Sequence, residues 1–197
     1  MKRLVPVTLL LLLLVASAQA ASESFEAKVI GVSDGDTITV RIANAPPYTI
    51  RLSGIDSPEK KQPFGNRSKQ NLSQLVFGKP VRVEWSKKDK YGRLVGKVLV
   101  ATGACARPPC AAALDVNLAQ IAAGFAWHYR QYKNEQSKQD RSVYEAAEQH
   151  ARENKRGLWS DAHPVPPWEW RHDSSKKSPG GSAQVGTSTQ SQRVADN

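Results

Sequence analysis

Three carboxylates and two guanidinium groups stand in turns or on strands in the first half of this sequence: Asp36, Asp56 and Glu59, with Arg51 and Arg93. Hard divalent cations take oxygen ligands, and a loop offers main-chain carbonyls beside its carboxylates. Pro58 stiffens the link between Asp56 and Glu59. Guanidinium forks bind two phosphoryl oxygens at once and suit the spread negative charge of a phosphoryl transition state. Phosphodiester hydrolysis needs a metal, a base and cationic clamps together, and this set holds candidates for each role. Taken singly, every member has an ordinary alternative. Aspartate is at home in any turn, and an arginine on the outer face of a strand usually meets only water. Spacing alone leaves both readings open.

The segments that must position these groups change period along the chain. Residues 25–30 and 37–42 are β-branched runs joined by Ser33-Asp34-Gly35-Asp36, a hairpin signal. Tyr48, Ile50 and Leu52 alternate with Thr49 and Arg51, which places Arg51 on the polar face of a third strand. Leu72, Leu75 and Val76 fall at helical spacing within 64–77, stopped by Gly78 and Pro80. Strand patterning returns at 81–85 and 94–100, around a turn that contains Asp89-Lys90-Tyr91-Gly92-Arg93. Asp115 is placed to cap a helix that carries Val116, Leu118 and Ile121 and ends at Gly124. A last helix over 137–156 sets Val143, Ala147, His150 and Ala151 on one side. This order predicts an α+β fold, a five-stranded OB-type Greek-key barrel with three helices.

Several of these stretches resemble a known family. Asp34-Gly35-Asp36-Thr37, Arg51 through Glu59, and Asp89-Lys90-Tyr91-Gly92-Arg93 are similar to the three signature stretches of the staphylococcal nuclease (thermonuclease) family. Asp115-Val116-Asn117, Gly124-Phe125-Ala126 and Gly157-Leu158-Trp159-Ser160 resemble its later landmarks in the same order. The likeness covers about 25–160. It implies a Ca2+ ion held by Asp36, Asp56 and the main-chain carbonyl of Ser57, where the family more often has threonine. Glu59 corresponds to the family's general base, and Arg51 and Arg93 to its phosphate-gripping arginines. Lys90 and Tyr91 would reach a neighbouring phosphate, and Tyr132 matches a tyrosine that stacks on a base, although it could equally be core. The implied reaction is hydrolysis of DNA and RNA to 3′-phosphate and 5′-hydroxyl ends. A catalytically inactive OB-type module that only binds nucleic acid is the alternative, and the survival of all five polar residues argues against it.

Residues 1–20 read as an export leader: a basic start at Lys2 and Arg3, an apolar run from Leu9 to Val15, and Ala18-Gln19-Ala20 for cleavage. The mature protein is therefore expected to be secreted or periplasmic, monomeric, and not membrane-associated. A formal charge of +10 favours polyanions without specifying one. In such a compartment Cys105 and Cys110 are expected to form a disulfide around a short loop. The nuclease-like domain spans 21–160. A Pro- and Trp-rich extension at 161–173 is expected to pack back on the body, and 174–197 has the composition of a disordered tail. None of His128, His150, His163 and His172 has a spacing that pairs it with the carboxylates.

Overall fold

The computed structural model describes residues 23–102 and 113–176. Strand β1 (Glu23–Val32) turns back as β2 (Thr37–Arg41), and β3 (Tyr48–Leu52) pairs antiparallel with β2. A two-residue strand, β4 (Ile55–Asp56), and helix α1 (Gly65–Val76) lead to β5 (Pro80–Lys88) and β6 (Leu94–Ala101). Then come β7 (Ala113–Asp115), α2 (Val116–Ala122), β8 (Trp127–His128), α3 (Lys138–Glu153) and α4 (Pro167–Lys176). Short 3-10 turns at Arg130–Glu135 and Gly157–Ser160 join the last pieces.

The main sheet runs β3-β2-β1-β5-β6, with β7 on the outer side of β6. β6 also pairs in parallel with β3, matching Ile50 to Leu94, Arg51 to Val95 and Leu52 to Gly96. That seam closes the expected five-stranded barrel. Inward positions follow the alternation read from sequence: Ile38, Val40, Ile50, Leu52, Val83 and Val98 are fully buried. Each such side chain contributes roughly 1.5–3 kcal/mol through removal from water. Leu72 and Val76 of α1 and Ile121 of α2 pack on the same core. Tyr48 departs from the pattern, being 37% exposed at the start of β3 and tilted against Phe25.

Helix α2 does most to position the loops at one end of the barrel. Asp115 caps it by accepting from the Leu118 amide at 3.0 Å, as expected, and also accepts from the Tyr144 hydroxyl at 2.9 Å. Asn117 is fully buried; its Nδ2 donates to the Ser53 carbonyl at 2.9 Å and the Gly96 carbonyl at 3.2 Å, and its Oδ1 accepts from the Val98 amide at 3.1 Å. Gln120, also fully buried, donates to the Gly35 carbonyl at 2.6 Å and the Ser68 carbonyl at 3.2 Å. These two amides bind the hairpin turn before β2 and the turn after β3 to a single helix.

Two expectations need correction. The buried side of α3 carries Tyr144, Glu148 and Ala151, whereas Val143 is 41% exposed and His150 lies on the surface. Glu148 goes inward because it accepts from the His128 amide at 3.1 Å and from Arg130 at 2.9 Å, which satisfies a carboxylate that periodicity alone would send outward. The extension forms a fourth helix, α4, which begins at Pro167 and runs through residues 174–176 that composition had given to the tail. The leader at 1–20, the Cys105–Cys110 pair and residues 177–197 lie outside the described residues.

Asn117→Ala should lower unfolding stability by about 2 kcal/mol, because the Ser53 carbonyl and the buried Val98 amide lose this partner, while the Gly96 carbonyl keeps its bond from the Ser53 amide. Urea denaturation checks this, and a loss below about 1 kcal/mol would show that these bonds do not hold α2 to the barrel.

Candidate active site

A cleft of about 590 Å³ opens at the end of the barrel fixed by Asn117 and Gln120. Asp36, Arg51, Asp56, Ser57, Glu59 and Arg93 all line it, as do Lys90, Tyr91 and Tyr132. The sequence-derived candidates thus converge on one place from four different stretches of chain. None of the four histidines lines it; His128 is instead a buried residue that shares a 2.9 Å hydrogen bond with Gln136.

Two nearly dry carboxylates form the floor. Asp36 is 7% exposed and Asp56 2%. Asp36 Oδ2 accepts from the Ser57 amide at 3.0 Å and Oδ1 from the Thr37 hydroxyl at 2.9 Å, so the loop after β4 is docked on the start of β2. Gly35 permits this approach: a Cβ there would overlap Ser68 Oγ and the Ser57 side chain. Burial, with the Asp36 carboxylate as a further contribution, raises the Asp56 carboxyl above its usual range, opposed by Arg171 and Arg51. Such a floor attracts positive charge. Among the described residues no group of three His, Cys, Asp or Glu side chains could hold a metal alone. A cation here would draw on Asp36, Asp56, a main-chain carbonyl and water, a donor set suited to a hard divalent ion.

The arginines flank this floor by different means. Arg51 is set by the β3–β6 seam; its Nη2 lies 3.6 Å from Asp56 Oδ1, and its guanidinium is 5.7 Å from the Tyr129 ring centroid. Arg93 is set by Asp89, whose Oδ2 accepts from its Nε at 2.7 Å while Oδ1 accepts from the main-chain amides of Arg93 and Tyr91 at 3.0 and 2.9 Å. Burial works against ionised Asp89, but these bonds hold its carboxyl below the usual range. Glu59 stands at the rim with a half-exposed side chain. Its amide donates to Gln62 Oε1 at 3.0 Å, and Gly65 packs so tightly on its carbonyl that a Cβ would overlap it.

Tyr91 is 71% exposed, with Lys90 and Arg93 over its ring at 5.1 and 5.3 Å. Tyr132 is 40% exposed and lines the cleft, so it is not a core residue, and Lys87 sits 5.3 Å from its centroid. Several lining residues had no site role in the sequence reading, among them Tyr129, Asp34 and Arg171. Tyr129 meets Tyr132 edge-on at 5.1 Å, and its phenol is raised first by burial and then by Asp56. Arg171 reaches in from α4, donating from Nη2 to Asp56 Oδ2 and from Nη1 to Glu59 Oε1, both at 2.7 Å. Those Asp56 bonds, with help from Glu59, hold its guanidinium above the ordinary value. The one sequence cue to it was an arginine one turn beyond a Pro-started, Trp-bearing segment.

Comparison with known proteins agrees with this geometry. Residues 49–161 match the family model described as "Staphylococcal nuclease homologue". The chain is similar to an "Uncharacterized endonuclease" of Escherichia coli O157:H7, 40% identical over 162 residues, covering 82% of this chain and 95% of that protein. It is also similar to "Protein ParB" of Escherichia coli, at 38% over 167 residues and covering 85% and 90% of the two chains. "Micrococcal nuclease" of Shigella flexneri is 37% identical over 151 residues, 76% of this chain and 82% of that protein.

Asp34 supplies a test of the electrostatics. Burial first, then the neighbouring Asp36 carboxylate, push its carboxyl up to about 6 from 3.8. A raised carboxyl favours the folded state below the unfolded pKa, and that contribution is lost as pH rises through the folded value. In chelator, Asp34→Asn should therefore be more stable than wild type at pH 7, by about 2 kcal/mol, with the gap closing toward pH 4. Melting curves across that range check it; a gap that widens on acidification would reverse the assignment.

Proposed function

Because the chain belongs to the staphylococcal nuclease family and is a phosphodiester-cleaving nuclease, we propose that it is an exported, calcium-dependent endonuclease that hydrolyses DNA and RNA to 3′-phosphate and 5′-hydroxyl ends. The observation that carries the reading is the meeting of Asp36 and Asp56 with Arg51, Glu59 and Arg93 in one cleft. Calcium suits the floor because two carboxylates, the Ser57 carbonyl and water make an open, flexible oxygen site, whereas magnesium demands a tighter octahedron. When bound, the ion supplies Lewis-acid charge to a phosphoryl oxygen.

The protein's own groups do the rest. Glu59, at the solvent rim, accepts a proton from the attacking water as its oxygen forms the new bond to phosphorus. Arg51 and Arg93 donate hydrogen bonds to the non-bridging oxygens, whose charge grows at the transition state. Asp89 fixes the Arg93 fork in advance, so little ordering is left for the moment of reaction. The bond to the 5′ oxygen breaks, and that oxygen leaves with a proton taken up from the open cleft. Lys90, Tyr91 and Tyr132 flank the route of the chain, the lysine toward phosphate and the aromatic rings toward bases. The leader sequence supports export, and the basic charge favours a nucleic-acid substrate.

Digestion of plasmid DNA and of RNA with calcium, magnesium or chelator tests the reading, followed by end-group analysis. Cleavage of both polymers is expected with calcium, falling at least about a hundredfold in chelator. Full activity in chelator, or 5′-phosphate ends, would remove the metal or the bond assignment respectively.

Glu59→Gln keeps size and cannot accept the water's proton at neutral pH, so single-turnover cleavage at saturating calcium should fall by about 10² or more. Calcium affinity should change less, because Asp36 and Asp56 are the direct carboxylate ligands in this reading. If raising calcium restores the rate, Glu59 is a metal-site residue and another group is the base.

A further inference from the structure

We propose that Arg171 is an internal cation of the reaction centre that competes with the divalent ion for Asp56 and Glu59, and so sets how tightly that ion is held. The proposal rests on the divalent-metal reading above, and it concerns a residue beyond the family-matched segment 49–161. Both oxygens of Asp56 are engaged by this one side chain: Nη1 lies 3.2 Å from Oδ1 and Nη2 2.7 Å from Oδ2, while Nη1 also bonds Glu59 at 2.7 Å. Arg51 is more distant from Asp56, at 3.6 Å. Arg171 is therefore the principal positive partner of a carboxylate that is 2% exposed and stands beside a second buried carboxylate.

The placement of Arg171 is built rather than incidental. Trp168, three residues earlier on α4, stacks on Tyr129 with centroids 5.4 Å apart and meets Trp127 edge-on at 5.6 Å. Just before the helix, the Val165 carbonyl accepts from Gln62 Nε2 at 2.6 Å, and the Oε1 of that same glutamine accepts from the Glu59 amide. Thus the segment that delivers Arg171 is fastened to the loop that carries Glu59. The Arg171 side chain itself is 43% exposed, so it can swing into solvent while these anchors stay in place.

A divalent ion takes carboxylate oxygens at roughly 2.3–2.6 Å, closer than the guanidinium nitrogens lie. Two cations at that separation repel, and the same lone pairs cannot serve both. Metal binding accordingly works against the Arg171–Asp56 contact, and whatever that contact gives up is subtracted from the affinity of the ion. With the ion and a phosphate both present, the displaced guanidinium remains beside new negative charge and need not leave the cleft.

Calorimetric titration of the full mature chain with calcium chloride, for wild type and Arg171→Met, tests this. Methionine keeps much of the side-chain volume without the charge. The variant is expected to bind calcium at least about threefold more tightly, the scale of a half-exposed ion pair. Equal or weaker affinity in the variant overturns the proposal while leaving the metal reading intact; absence of binding to either protein overturns both. Should that variant fail to fold, Arg171→Gln, which keeps a polar side chain without the charge, decides in the same titration: tighter calcium binding than wild type supports the competition, and equal or weaker binding overturns it.

Discussion

Two carboxylates held side by side and almost out of water, Asp36 and Asp56, are the constraint around which this molecule is arranged. An unpaired buried charge costs several kcal/mol, so the neighbourhood must supply donors and cations from many directions. It does so from distant stretches of chain. The Ser57 amide and Thr37 hydroxyl serve Asp36, and Arg51 and Arg171 serve Asp56. The fully buried amides of Asn117 and Gln120 then hold the turns that carry these groups, although neither touches the carboxylates themselves. A structure that satisfies this pair has most of its loops already placed.

The floor also explains why the arginines are mounted differently. Arg51 belongs to the barrel wall and moves only if the wall moves. Arg93 depends on a local bracket, with Asp89 gripping side chain and backbone together. A wall-mounted and a bracket-mounted cation in one cleft with the anionic floor give a site that is held firmly near the carboxylates and is more open toward Tyr91, where exposure rises.

Much of this could be read from the residues because the inward positions of the barrel strands alternate strongly. Arg51 had to face away from Ile50 and Leu52, and Asp36 and Asp56 had to stand beside strand ends. What sequence could not give was contact between distant segments. Arg171 is separated from Asp56 by 115 positions and enters through a helix whose apolar stripe is weak. Tyr129 and Trp168 find each other for the same tertiary reason. The misread face of α3 has a local cause: alanines around Tyr144 blur the period, and inward-facing Glu148 is satisfied by partners that no helical wheel contains.

The seam between β3 and β6 uses only three residue pairs, and β7 joins β6 at its opposite end, against Leu99, Val100 and Ala101. One strand therefore carries two separate pairings, one at each of its ends. A one-residue slip at the seam would turn Arg51 from the cleft into the core and bring Ile50 and Leu52 out to water. For a protein engineer this marks where not to insert: one residue added within 50–52 or 94–96 would re-register the barrel and carry Arg51 out of the cleft.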